Sequence, residues 1–210
     1  MTQHRLEEFR RLYTVEDRQG STGFTWYLDP IDGTKSFVAG VPRFTVLVGV
    51  SDREAERGRV EENAGAPVIG VIRNPITDET VSALVGHGAR YNGRVTHMRP
   101  AVKLRDATVL RCDPADLYAR KRNYAETVFS SAGMVRTWTD AYAYLLLASG
   151  RADLALDPIM SPWDIAPIGP IITEAGGVFE RVDGGEEWLA DNCIAARREL
   201  LEEVRNQVAD

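Results

Sequence analysis

Trp26-Tyr27-Leu28-Asp29-Pro30-Ile31-Asp32-Gly33-Thr34-Lys35-Ser36-Phe37 is the stretch on which the reading of this chain turns. Its first part, with Phe24 and Thr25, is a strand-like apolar run that ends at Asp29-Pro30, because proline has no N–H for a ladder hydrogen bond. Asp32-Gly33 then marks a turn. Two carboxylates three residues apart straddle the proline, which fixes the backbone so that Asp29, Asp32 and the Ile31 carbonyl can face one point. Such an all-oxygen donor set suits a hard cation such as magnesium. Gly33 lets the backbone approach a ligand closely, and its N–H and that of Thr34 are placed to donate to a phosphate. Paired metals there would polarise a phosphoryl group, acidify a water and steady a departing alkoxide. Taken alone, the same residues also describe an ordinary Asx turn in a surface loop.

The bulk of the chain narrows the choice. Its 210 residues are 44% hydrophobic and 27% charged, enough for one large domain or two small ones. The net charge of −6 argues against nucleic acid or an anionic membrane as partner. The densest basic run, Arg120-Lys121-Arg122, reads as a solvated helix face. Cys112 and Cys193 show neither CxxC spacing nor a histidine cluster, which disfavours zinc and disulfides and predicts a reducing, cytoplasmic home. The opening residues MTQHRLEEFRR lack an apolar h-region, and no window reaches the ~18 apolar residues of a membrane span. A soluble protein is expected.

Outward from the opening stretch, residues 1–20 read as a short helix and a loop. FTVLVGV (44–50), PVIGVIRNP (67–75) and ETVSALVG (79–86) read as strands, with Asn92-Gly93 as a hairpin turn. The charged segment 51–66 between them reads as an exposed hairpin loop. Residues 1–105 therefore predict an antiparallel-sheet half. Residues 106–210 alternate instead and predict an α/β half. ATVLRCD (107–113), VRTWT (135–139), RADLALDP (151–158) and, last, VFERVDG (178–184) are its strands. One helix is expected from Leu117 to its stop at Gly133, a second over 140–150 with Asp140 as N-cap and Gly150 just past its end. A third over 162–177 contains Pro167 and Pro170, which should confine its start or kink it. An amphipathic helix closes the chain. Asp153 and Asp183 read as turn residues, and the scattered histidines receive no role.

The string WYLDPIDGTKSF resembles the signature of the inositol monophosphatase superfamily, in which a tryptophan and an apolar pair precede DPIDGT. Trp163-Asp164-Ile165-Ala166, followed by Glu174-Ala175-Gly176-Gly177, resembles the family's second signature, WDxA…EAGG, in the expected order. GVIRNP and the Asn-Gly turn also match its layout, so the resemblance runs from Trp26 to the C-terminus. Within the superfamily, DGTKSFVAGVP and RTWTDAYAYLLLASGRADLALDPIMSPWD are most similar to histidinol-phosphate phosphatases, although Thr139 stands where that branch tends to have glycine.

The resemblance implies an α/β (α+β sandwich) fold of alternating layers of helices and sheets, here with the N-terminal helices missing or reduced, in a single phosphatase domain over 1–210. It implies a magnesium-dependent phosphomonoesterase with two or three ions held by Asp29, the Ile31 carbonyl, Asp32 and Asp164. Thr34, partnered by an acidic residue, would orient and help deprotonate the attacking water, and Lys35 would add charge near the phosphate. Asp140 and Asp157 would line the pocket for the rest of the substrate, together suiting the two cationic groups of histidinol phosphate or the hydroxyls of inositol 1-phosphate. The bland readings of those two residues are an N-cap and a strand-end turn. The family's GEE metal motif has no clean counterpart. Asp17 or Glu16 stands where it would fall, and Glu7-Glu8 is a second candidate. A weakened or truncated member acting as a non-enzymatic module is the alternative. A homodimer is implied.

Overall fold

The computed structural model describes residues 23–52, 65–111, 113–138, 140–185 and 191–209. Asp17, Glu16, Glu7-Glu8, Thr139 and most of the charged 51–66 segment lie outside the described residues. Strict alternation makes β1 (Phe24–Asp32), with Phe24, Trp26 and Leu28 facing outward and 47%, 61% and 47% exposed. β2 (Thr45–Asp52), β3 (Pro67–Asn74), β4 (Glu79–Leu84), β5 (Ala89–Tyr91) and β6 (Arg94–Thr96) follow it in chain order in one antiparallel sheet. Asn92 and Gly93 have φ of 46° and 78°, the left-handed pair that a tight hairpin turn demands.

The β1–β2 pairing runs evenly from Phe24↔Asp52 to Asp29↔Leu47, breaks, and resumes at Asp32↔Thr45. Such an irregularity re-aims side chains, and here it falls on the two aspartates. Beyond it, Gly33 takes φ 76° and ψ 41°, and a short helix α1 (Thr34–Val38) forms where a turn alone was expected. The left-handed glycine reverses the chain so that the Phe37 N–H reaches the Gly33 carbonyl at 3.0 Å.

The second half builds β7 (Thr108–Arg111), β8 (Met134–Arg136), β9 (Leu154–Asp157), β10 (Val178–Glu180) and β11 (Cys193–Ala196) in the order β10-β11-β9-β7-β8. β9, β7 and β8 are parallel, β11 is antiparallel to β9, and β10 is antiparallel to β11. β11 corrects the sequence reading, which ended the strands at VFERVDG. Its four buried residues are too short a run to show any period. The single helix expected from Leu117 to Gly133 is also corrected. It is two, α2 (Pro114–Arg120) and α3 (Arg122–Ser131), broken at Lys121 with φ −136°. Lys121 is drawn in to pair with Asp183 and its side chain is only 15% exposed, so the basic run is not a uniformly solvated face.

α4 (Ala141–Ala148) and α5 (Pro162–Glu174) lie between the two sheets. Their Tyr144, Leu145, Ile168 and Ile171 share a core with Leu47, Ile72 and Val81 of one sheet and Leu110 and Cys193 of the other. On the far face, α2, α3 and α6 (Arg198–Ala209) bury Leu117, Val128, Leu200 and Val204 against Val109, Leu156 and Ile194. Sheet, helices, sheet, helices is the layered α/β sandwich expected.

α5 starts on Pro162, where a missing N–H costs nothing. It then runs through Pro167 and Pro170 rather than being confined by them. Its backbone rides directly on the sheet. A Cβ at Gly70 would sit 1.9 Å from the Pro167 carbonyl oxygen, and one at the cross-strand partner Gly49 would sit 2.9 Å from Ala166 and Pro167 backbone atoms. This notch brings the first turn of α5 down to the end of β1.

Candidate active site

Three segments converge where β1 ends. Carboxylate oxygens of Asp29, Asp32 and Asp164 all lie within 4.8 Å of one another. Each is held by its own local chemistry. Asp29 Oδ1 accepts the Ile31 N–H at 2.9 Å across Pro30, so the Asx turn and the carboxylate cluster are one arrangement rather than alternatives. Asp164 is the third residue of α5, and its Oδ2 accepts the Ser161 N–H at 2.8 Å in a capping box. Asp32 Oδ2 accepts both the Thr45 hydroxyl at 2.8 Å and the Ala141 N–H at 2.7 Å.

That last bond corrects the expected cap of α4. Asp140 stands at the N-cap position but makes no side-chain cap bond, and its φ of 57° and ψ of −160° are strained for a residue with a Cβ. The carboxylate at the start of α4 is instead Asp32 from the other sheet, satisfying an orphan N–H and favoured by the positive end of the helix. Asp140 faces inward. Its Oδ2 lies 3.0 Å from where a Cβ on Gly33 would be, so only glycine fits there without displacing it.

Among the described residues, the charges that act on this cluster are those of other carboxylates. Burial raises the Asp29 carboxyl above its usual range, offset by the Ile31 N–H and reinforced by Asp140. Burial, then repulsion from Asp140 and Asp164, pushes Asp32 well above the ordinary carboxylate range. Burial lifts Asp164 to about 7 against the opposing bond from Ser161, with Asp29 and Asp140 adding repulsion. Three oxygen-rich groups that resist ionising together fit a divalent hard cation, whose charge would reverse that balance.

The remaining expected residues are distributed around this centre. The Thr34 hydroxyl donates to the Ile31 carbonyl at 3.3 Å, joining two of them. Lys35 is exposed, and its ion pair is with Asp113 at 3.3 Å rather than with the cluster. Asp157 ends β9 with its Oδ1 accepting the Ile159 N–H at 3.1 Å, and it lines a small pocket open to solvent together with Asp140, Arg111 and Tyr144.

Sequence reasoning missed Thr45, Glu79 and Arg111. Thr45 is visible only once register pairs it with Asp32. Glu79 had a signal, since alternation puts it on the inward face of β4 with Val81 and Ala83. It accepts bonds from Thr77 (2.6 Å), Tyr91 (2.8 Å) and Tyr142 (2.9 Å) and pairs with Arg151 at 2.6 Å. Burial alone would raise its carboxyl, but these four donors bring it down to about 2. Arg111 is a charge ending an otherwise fully buried strand.

Comparison with known proteins bears on this geometry. Residues 4–210 match the model of the inositol monophosphatase family. The chain is 37% identical over 201 residues to a histidinol-phosphatase of Chlorobaculum parvum, covering 93% of this chain and 73% of that protein. It is 32% identical over 205 residues to an inositol-1-monophosphatase of Mesorhizobium japonicum, covering 94% and 70%. The fold overlays an inositol monophosphatase from Zymomonas mobilis with a TM-score of 0.81 at 22% identity, over 99% of this chain and 81% of that one. With Asp29 and Asp32 of the first signature and Asp164 of the second now gathered at one strand end, the chain belongs to the inositol monophosphatase family of phosphatases.

Proposed function

We propose that this protein hydrolyses a small soluble phosphomonoester with magnesium, and that histidinol phosphate is its substrate. The observation that carries the reading is the approach of Asp29, Asp32 and Asp164 to within 4.8 Å of one another. Asp29, the Ile31 carbonyl, Asp32 and Asp164 would hold two or three ions, with Asp17 completing the set. When bound, the ions polarise the phosphoryl group, acidify the attacking water and offset charge on the departing alkoxide. The N–H groups of Gly33 and Thr34 hold phosphate oxygens, and Lys35 adds positive potential near the phosphate once it leaves its ion pair with Asp113. Thr34, steadied by the Ile31 carbonyl, orients the water, and Asp17 takes its proton. Water oxygen bonds to phosphorus in line as the ester P–O bond breaks, the alcohol oxygen regains a proton, and no phosphoenzyme forms.

Asp140 and Asp157 favour histidinol phosphate, because an ammonium and an imidazolium both gain charge-assisted hydrogen bonds from carboxylates. Inositol 1-phosphate is the second reading, favoured by the Mesorhizobium relative, since the same pair accepts hydroxyls. The reading includes a cytoplasmic homodimer, which sedimentation of the purified chain checks.

The test is phosphate release from a panel of phosphomonoesters with and without magnesium. Asp32→Asn should lower turnover at least about a hundredfold, about 2.7 kcal/mol of transition-state stabilisation, with circular dichroism unchanged. Release without magnesium, or full turnover by Asp32→Asn, overturns the assignment. Competition between histidinol phosphate and inositol 1-phosphate decides the substrate.

A further inference from the structure

The parallel strands β9, β7 and β8 end side by side, and the carboxyl ends of such strands are where open α/β sheets bind ligands. Asp157 is the last residue of β9, Arg111 the last of β7, and Asp140 follows β8 at the head of α4. In the β7–β9 register Arg111 lies beside Leu156, the neighbour of Asp157. All three charged residues line one small pocket that opens to solvent.

Arg111 stands apart from the other two. Its Nε and Nη1 are buried and have no hydrogen-bond partner among the described residues, while its guanidinium carbon sits 4.2 Å from the centre of the Phe129 ring. Stacking on Phe129 orients the fork. It does not satisfy the N–H groups in the guanidinium plane, and a buried donor left unpaired is costly. Those donors are fixed in place and call for a planar anionic acceptor.

We infer that Arg111 reads a second anion on the alcohol part of the substrate, a carboxylate in particular, while Asp140 and Asp157 take an adjacent ammonium. The inference rests on the phosphomonoesterase reading and widens its substrate class. Histidinol phosphate carries no anion beyond its phosphate, so it leaves Arg111 unmatched. A phosphorylated hydroxy amino acid matches all three side chains. Its hydrolysis adds the elements of water across the ester P–O bond and yields the free amino acid and inorganic phosphate, with no redox partner.

The matched probes are O-phosphoserine and phosphoethanolamine, which differ only by the carboxylate. In the full chain with magnesium, kcat/KM should favour O-phosphoserine by about tenfold to a hundredfold, carried in KM, the range expected of a charge-assisted hydrogen bond. In Arg111→Gln the ratio should fall close to one. A wild-type ratio at or below one overturns the inference, and so does a preference that survives in Arg111→Gln. Calorimetric titration of both esters separates this outcome from that of the parent reading. If no phosphomonoester is turned over yet O-phosphoserine binds at least about tenfold tighter in an Arg111-dependent way, the phosphatase reading fails and the anion site stands. Equal binding of the two esters, or binding of neither, sinks the anion site.

Discussion

Asp32 is caught between two demands. Thr45 and Ala141 both donate to its Oδ2, yet its neighbours Asp140, Asp164 and Asp29 oppose its charge. Asn keeps an oxygen for both donors and removes the charge. Asp32→Asn should therefore raise the melting temperature of the protein in chelator even as it removes turnover, which thermal denaturation in EDTA checks. Asp164 gives the same conflict a pH signature. Its carboxyl titrates near 7 in the folded chain against an ordinary value of 3.8. A raised acid contributes stability that is complete below about 4 and is lost as pH rises to about 7. Glu79 has the opposite sign, since a carboxyl lowered to about 2 from 4.5 contributes stability above 4.5 that is lost as pH falls toward 2. Melting temperatures in EDTA should thus peak near pH 4 to 5 and decline toward pH 8, and magnesium should restore most at the alkaline end.

At the level of elements, the site depends on how close α5 comes to the sheet. Gly70→Ala puts a Cβ against the Pro167 carbonyl, an overlap of backbone that no rotamer relieves. It should cost about 3 kcal/mol or more in urea unfolding and weaken cation binding by calorimetry, because the lifted helix carries Asp164 away from Asp29 and Asp32. Little of this was legible in the sequence. FTWYLDP declared most of β1 as an apolar run, although the strand passes Pro30, where an end was expected, and runs on to Asp32, and Asn92-Gly93 declared the hairpin. The pairing of Gly49 with Gly70 belongs to register, which local pattern does not carry. The same holds for the cap of α4, where the sequence offered Asp140 as the neighbour in the chain and the fold supplied Asp32 from another sheet. Lys121 broke an apparently continuous helix through a tertiary ion pair with Asp183. What local chemistry dictates was readable, and what two distant segments dictate together was not. The exception is the carboxylate cluster, whose Asp164 entered through resemblance rather than geometry.

For the whole molecule, one apolar core draws Leu47 and Ile72 from the first sheet, Leu145 and Ile168 from the middle helices and Leu110 and Cys193 from the second sheet. We propose on this ground that residues 1–210 fold as one domain despite the contrast between an antiparallel and an α/β half. Calorimetry should then show a single thermal transition with matching van't Hoff and calorimetric enthalpies, and two resolved transitions would refute it. No described helix is long and apolar enough to cross a membrane.

The carboxylates that gather at the end of β1 come from opposite sides of that shared core, Asp29 and Asp32 from a sheet and Asp164 from the helix laid over it. Left to themselves they act as a wedge, each pushing its own layer away from the other. A divalent ion among them becomes a rivet. Stripping the metal should accordingly loosen the backbone itself. Amide hydrogen exchange across residues 29–34 and 161–166 should quicken in EDTA and slow again when magnesium is returned, while the far helices at the other face keep their pace.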